Sequence, residues 1–230
     1  MIRKKHECSE GRGAINSASF VFYPAHRWSQ KLASISAAFM LSLPEEMLFS
    51  EPSEFFFTAG YDSPVGHLDL AMSERGLAAV AFHGRWAAPH GTKNVRWIEE
   101  SERFRDVIRQ LDEYFAGARH DFDLPLDLRG PEFHLRCWRA LLRIPYGQTS
   151  SYAQLATEVG SPLASRAVGQ ANHHNPVAII VPCHRVIASD GTLAGFGGGL
   201  AAKAFLLNLE GARFRPSIPE QGRLFGELAV

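Results

Sequence analysis

The sequence predicts an α+β (α/β) chain in two lobes, a small mixed lobe with an antiparallel sheet followed by a mainly helical lobe. Three observations carry this. Between Phe55 and His83, short runs rich in β-formers are separated by tight turn signals. From Ser101, apolar residues recur at helical spacing. After Pro131 the chain reads as successive short helices with capping signals. With 230 residues, 46% apolar and 21% charged, it is long enough for one large domain or two small ones with real apolar cores.

Phe55–Tyr61 and Val65–Met72 read as strands, and the turn Ser73-Glu-Arg-Gly76 leads to a third, Leu77–His83, making a meander. Residues 84–98 show no clear period. From Ser101, a candidate cap, Phe104, Val107, Ile108, Leu111 and Phe115 share one helical face, and Gly117 stops the helix. Phe122–Leu128 alternates and is expected to be a short extended exit from this lobe.

In the second lobe Pro131 suits a first helical position, and Phe133, Cys137, Trp138 and Leu141 repeat at helical spacing toward Pro145. Ile144-Pro-Tyr-Gly147 is a turn. Ser151-Tyr-Ala-Gln154 matches a capping box that opens a helix running to Gly160. Ser161-Pro162 is expected to start the next helix, as a cap followed by Pro at the first position. Ala164, Ala167, Val168 and Ala171 fall on one face of it; Arg166, Gln170 and His173 fall on the other. Two short helices joined through Gly160-Ser-Pro162 resemble a helix-turn-helix, a pattern shared with hairpins that bind no nucleic acid. What favours DNA is the second helix. Ala167, Gly169 and Ala171 let its backbone approach a groove, and Arg166 and Gln170 offer donors. Val177–Val181 then reads as a buried strand.

The formal net charge is zero but unevenly spread. Residues 51–130 hold nine Lys/Arg against fourteen Asp/Glu, whereas residues 131–210 hold six against four. This modest split does not itself point to DNA, but a DNA-facing surface, if the protein has one, is expected in the second stretch. Three cysteines, Cys8, Cys137 and Cys183, lack framework spacing and leave room for one reactive thiol in a reducing compartment, which places the protein in the cytoplasm. Cys137 sits on an apolar helix face and reads as core. The apolar segment Lys31–Leu43 is too short and Ser-rich to span a bilayer and makes a poor signal peptide. The chain is therefore divided into a poorly ordered leader (1–50), a first lobe (51–130), a second lobe (131–215) and a tail (216–230), with no membrane partner.

The apolar run delivers Pro182-Cys183-His184-Arg185-Val186. A lone Cys beside a His is weak evidence, since free cysteines are commonly small core residues. Adjacent side chains on a strand face opposite ways, so the two can couple only if the strand breaks there, as Pro182 suggests. A nearby imidazole then takes the thiol proton and raises thiolate content.

These residues carry a resemblance. Ile144-Pro-Tyr-Gly147, Ser151-Tyr-Ala-Gln-Leu-Ala156, Ser165-Arg-Ala-Val-Gly169, Asn175-Pro176, Pro182-Cys-His-Arg-Val186, Gly198-Gly-Leu200 and Lys203 through Glu210-Gly211 resemble the alkylguanine DNA alkyltransferases in order and spacing. Residues 55–130 resemble that family's amino-terminal lobe more loosely. The resemblance implies a winged-helix type of second lobe and a single, irreversible transfer of an alkyl group from guanine onto Cys183. It implies that His184 acts as base through a water, with Glu210 orienting the imidazole. Tyr152 would donate at the ring nitrogen of the leaving guanine, and the carbonyls of Cys183 and Val186 would accept from its exocyclic amine. Asn175 would tie the turn that positions the thiol.

The partner implied is duplex DNA carrying alkylated guanine, entered from the minor groove with the base flipped out. Arg166 would fill the vacated stack, with Tyr152, Ala167, Gly169 and Gln170 along the same surface. The base pocket would be Val186, Phe196, Gly197 and Ala178. Here Phe196 stands where many relatives have Tyr, Gly197 where some have Ser, and Ala178 where some have Pro. No cofactor is implied and no metal either, since Cys8 and His26 make a poor zinc site and His173 and His174 read as exposed polar residues. A monomer is expected. The alternative is a lesion-binding or sensing protein without transfer, against which Cys183 itself counts.

Overall fold

In the computed structural model, which describes residues 54–82 and 88–215, the chain opens on the expected meander. Strands β1 (Glu54–Ser63), β2 (Gly66–Ser73) and β3 (Gly76–Phe82) pair antiparallel, with Tyr61 opposite Leu68 and Leu70 opposite Val80. Leu68, Leu70, Leu77 and Val80 are fully or nearly fully buried beneath it. The stretch without a period hides a fourth strand, β4 (Val95–Glu99), which pairs parallel to β1 in the order β3-β2-β1-β4. The sheet is therefore mixed. β4 is an edge strand with Arg96, Trp97 and Glu99 exposed, so its burial pattern carries no alternation to read.

Ser101 does not cap a helix. The backbone N–H of Glu100 is still held by the Thr58 carbonyl at 3.0 Å, and a 3-10 turn (Ser101–Phe104) intervenes before α1 (Arg105–Phe115). Val107, Leu111 and Tyr114 of α1 are buried, each contributing about 1.5–3 kcal/mol of apolar stabilisation. The helix ends ahead of Gly117, as expected. Residues 122–128 run extended against the start of β3, where Leu77 donates to the Pro125 carbonyl at 2.8 Å and accepts from Asp127 at 2.9 Å.

In the second lobe, α2 (Glu132–Leu141) starts one residue after Pro131, which flanks the helix rather than opening it. The capping box of Ser151 and Gln154 is formed in both directions at the start of α3 (Tyr152–Glu158). Strand β5 (Ser150–Ser151) pairs parallel with β6 (Val186–Ile187), and α5 (Gly199–Leu209) closes the described chain. The second helix of the hairpin, α4 (Ser165–His173), begins three residues later than a cap at Ser161 and a first position at Pro162 suggest. Ser161–Ala164 is instead a turn, closed by the Ala164 N–H on the Ser161 carbonyl at 2.9 Å. Proline suits the second position of such a turn as well as the first of a helix, so Pro162 signals either. Val168 and Ala171 face the core, while Ala167 is exposed rather than on the buried face. The Trp138 indole donates to the Ala171 carbonyl at 2.8 Å and ties α4 to α2.

Val177–Val181 is buried but is not a strand. Val177 makes one bridge to Val80, Ala178 one to Val181, and Ile179 adopts a φ of +72°. The segment is a tight turn docked on β3, with hydrogen bonds of 2.9 Å from Val80 to Pro176 and from Ala178 to Val80. An apolar run reports burial, and burial is common to both geometries. The leader, the tail, His83, Cys8 and His26 lie outside the described residues. Among the described residues no helix is long and apolar enough to cross a membrane.

Candidate active site

Pro182 leads directly into one 3-10 turn, Cys183–Arg185, ahead of β6. On a strand Cys183 and His184 would face apart; on this turn each meets a different partner. Cys183 is 7% exposed, and its Sγ accepts from Asn175 Nδ2 at 3.1 Å. The same Nδ2 donates to the Val181 carbonyl at 2.7 Å, and Asn175 Oδ1 accepts from the Val177 N–H at 3.1 Å. Asn175 thus holds both ends of the buried turn and the thiol. Burial pushes the Cys183 thiol up, opposed by the Asn175 hydrogen bond and the Lys203 charge.

His184 is fully buried, with Nε2 2.8 Å from Glu210 Oε1 and Nδ1 meeting no protein partner among the described residues. Burial lowers its pKa, opposed by the Glu210 carboxylate. Glu210 caps α5 and gathers five donors. Its Oε1 accepts from Tyr114 Oη at 2.7 Å, from His184 and from Arg185 Nη2 at 3.0 Å. Its Oε2 accepts from Arg185 Nε at 2.9 Å and the Gly147 N–H at 3.3 Å. Burial alone would raise the Glu210 carboxyl, but the hydrogen bonds and charges of His184 and Arg185 outweigh it and hold the group at about 2. Gly147 has a φ of +74°, and a Cβ there would stand 2.8 Å from the Glu210 carbonyl, so the turn Ile144–Gly147 reaches the carboxylate only through glycine.

A cleft of about 520 Å³ opens onto Cys183 and is lined by Tyr152, Gly169, Gln170, Asn172, Phe196 and Gly197. A second, of about 660 Å³, shares Cys183, Phe196 and Gly197 and adds Ala178. Tyr152 opens α3 behind Gly169, and burial together with the neighbouring Cys183 raises its phenol. Arg166, Ala167 and Gln170 are exposed on α4, and no described residue pairs with the Arg166 guanidinium. Val186 lines neither cleft. Its side chain is in the core, and its carbonyl accepts from Lys203 Nζ at 2.6 Å. The Cys183 carbonyl likewise takes the Val186 N–H.

The family model for the DNA binding domain of 6-O-methylguanine DNA methyltransferase matches residues 132–212, and the model for its ribonuclease-like domain matches residues 57–128. A methylated-DNA–protein-cysteine methyltransferase of Methanosarcina acetivorans is 47% identical over 160 residues, which is 68% of this chain and 99% of the relative. The chain belongs to this methyltransferase family. The relative from Mycolicibacterium paratuberculosis is 50% identical over 149 residues, covering 65% of this chain and 88% of its own. Among solved structures, the Mycobacterium tuberculosis OGT in complex with DNA is 46% identical with a TM-score of 0.61, covering 68% of this chain and 92% of that one.

Within this methyltransferase frame, three buried polar side chains escape sequence reasoning. Arg185 stands in a recognised block, yet nothing marks its guanidinium as the partner of Glu210 and of the Ile144 carbonyl, 2.6 Å away. Lys203 is fully buried and bridges the carbonyls of Val186 and Ala194 at 2.6 and 2.7 Å; burial lowers its pKa to about 8. A cation inside Leu200–Leu207 was the available signal. Tyr114 lies on the apolar face of α1, where its ring reads as core and its hydroxyl is easily overlooked.

Proposed function

We propose that this protein repairs DNA by a stoichiometric, irreversible transfer of a methyl or other alkyl group from the O6 position of guanine to Cys183, acting inside the cell as a monomer on duplex DNA. The observation that carries this is a thiol at the mouth of a cleft, held by Asn175, beside an imidazole whose Nε2 is fixed on Glu210. Glu210 occupies Nε2, so Nδ1 is the nitrogen left to act as base. Cys183 and His184 are not hydrogen-bonded to each other, so the thiol proton passes to the imidazole through a water. The thiolate attacks the alkyl carbon, a sulfur–carbon bond forms and the carbon–oxygen bond breaks, its electron pair going to the guanine. Tyr152 supplies a proton or hydrogen bond at the ring nitrogen, which keeps the leaving base from carrying full negative charge. The thioether has no simple route back, so each molecule acts once.

A target atom inside the stack is out of reach, so the nucleotide is flipped into the cleft, with α4 along the minor groove and Arg166 in the gap. Phe196, Gly197 and Ala178 form the wall of the pocket. With Val186 O held by Lys203, an exocyclic amine would use that oxygen's second lone pair. Intact mass after mixing with a methylated duplex tests the proposal: a permanent gain of one methyl, mapped to Cys183, is expected. Cys183→Ala should lose transfer and keep DNA binding. Methyl acceptance by that variant at Cys8 or Cys137 would sink the assignment, and binding without any mass gain by the wild type would favour a lesion sensor.

A further inference from the structure

We infer that Tyr114, contributed by α1 of the first lobe, is a positioning residue for the transfer, holding the Glu210 carboxylate and moderating its pull on His184. The inference rests on the roles of Cys183, His184 and Glu210 proposed above. Tyr114 is fully buried, and its hydroxyl donates to Oε1, the same oxygen that receives His184 Nε2. A donor on that oxygen withdraws charge from it and weakens its hold on the imidazole proton. The phenol is a constant donor, because burial and the Glu210 charge push its pKa far above the ordinary tyrosine value.

The other groups facing this pair are accounted for. Arg185 comes from the 3-10 turn, Tyr146 and the Gly147 N–H from the turn after α2, and Lys203 from α5, whose charge acts on His184. Tyr114 alone among them belongs to the first lobe. Its ring is fixed by edge contacts to Phe115 and Tyr146, with centroids 5.4 and 6.2 Å away. The first lobe therefore reaches the His184–Glu210 pair through one hydroxyl.

Tyr114→Phe keeps the ring and leaves Oε1 with two donors, so no buried group is orphaned. Without the hydroxyl, Glu210 binds the imidazole proton harder, and His184 stays protonated to higher pH. The experiment is single-turnover methyl transfer by the full chain from about pH 4.5 to 9, reaching below an ordinary histidine because burial lowers His184, with thermal unfolding alongside. Tyr146→Phe is the control, since its hydroxyl donates to the Leu209 carbonyl at 3.0 Å and not to Glu210. For Tyr114→Phe the acid limb should move up by about half a unit to one unit, slowing transfer roughly three- to tenfold on that limb and leaving the alkaline rate unchanged. Tyr146→Phe should keep the wild-type limb even if its melting temperature falls. A uniform loss of rate at all pH, a superimposable profile, or failure of Tyr114→Phe to fold would each overturn the inference. Those results leave the transfer reading standing, provided the wild type methylates Cys183; a wild type that gains no methyl overturns both.

Discussion

Glu210 and Arg185 are both buried, and each is the other's compensation for lost water. Glu210→Gln removes the negative partner and leaves the guanidinium with only the Ile144 carbonyl and a neutral amide, at a cost of about 3 kcal/mol. The carboxyl is held at about 2 against an ordinary 4.5, so its contribution is fully present above pH 4.5 and is lost as pH falls toward 2. His184 is depressed below its ordinary 6.5, so its neutral burial also contributes above 6.5 and begins to be lost below that. Thermal melting as a function of pH should therefore show the wild type weakening in two stages on acidification, and Glu210→Gln should start lower and fall less steeply below 4.5, where the paired carboxylates Glu54 and Asp127 still contribute. An equal acid slope in both proteins would remove Glu210 as its source. Cys183, His184, Asn175 and Glu210 were named through the family resemblance of their motifs. Arg185, Lys203 and Tyr114 were not, because their partners lie 9 to 96 residues away.

At the scale of elements, α4 presents Arg166, Ala167 and Gln170 outward while Val168 and Ala171 anchor it. Taking a base out of the stack costs about a few kcal/mol, part of which an entering side chain recovers. Arg166→Ala should therefore slow repair of a methylated duplex by about tenfold or more and leave reaction with free alkylguanine nearly unchanged, compared at fixed salt. Equal slowing on both substrates would point to damage in the cleft, and a change confined to the salt dependence of binding would make Arg166 a phosphate contact. The capping box of α3 and the meander were readable because their signals are local, a side chain three residues away or a turn between alternating runs. The start of α4, the edge strand β4 and the turn Val177–Val181 were not. Their geometry is imposed from elsewhere, by β1 on β4 and by β3 on the buried turn. Local sequence restricts such segments to buried or exposed without fixing the backbone.

For the molecule as a whole, the described residues form a main core reaching from Phe57 to Leu206 and a smaller cluster of Ile187, Leu193, Leu207 and Ala212. β3 of the first lobe grips the turn that Asn175 holds, Tyr114 reaches Glu210, and Arg129 binds Glu54 and Asp127 within the first lobe. The Methanosarcina acetivorans relative matches over 99% of its own length within 160 residues of this chain, and the two family models begin at residue 57 and end at residue 212. A chain beginning at Pro52 should accordingly keep β1 and its pairing with β2 and β4, remain folded, and methylate Cys183 at the full-length rate. Single-turnover transfer and melting temperature, measured side by side on the two lengths, check this. The second lobe expressed alone from Gly130 is the contrasting case. It would lose Tyr114 from Glu210 and Val80 from Val177 and Ala178, exposing the apolar side of the buried turn. Its transfer rate should fall well below that of the chain from Pro52. If the two were equal, the first lobe would be dispensable for the chemistry, and if the chain from Pro52 were slow or insoluble, residues 1–51 would be part of the working molecule.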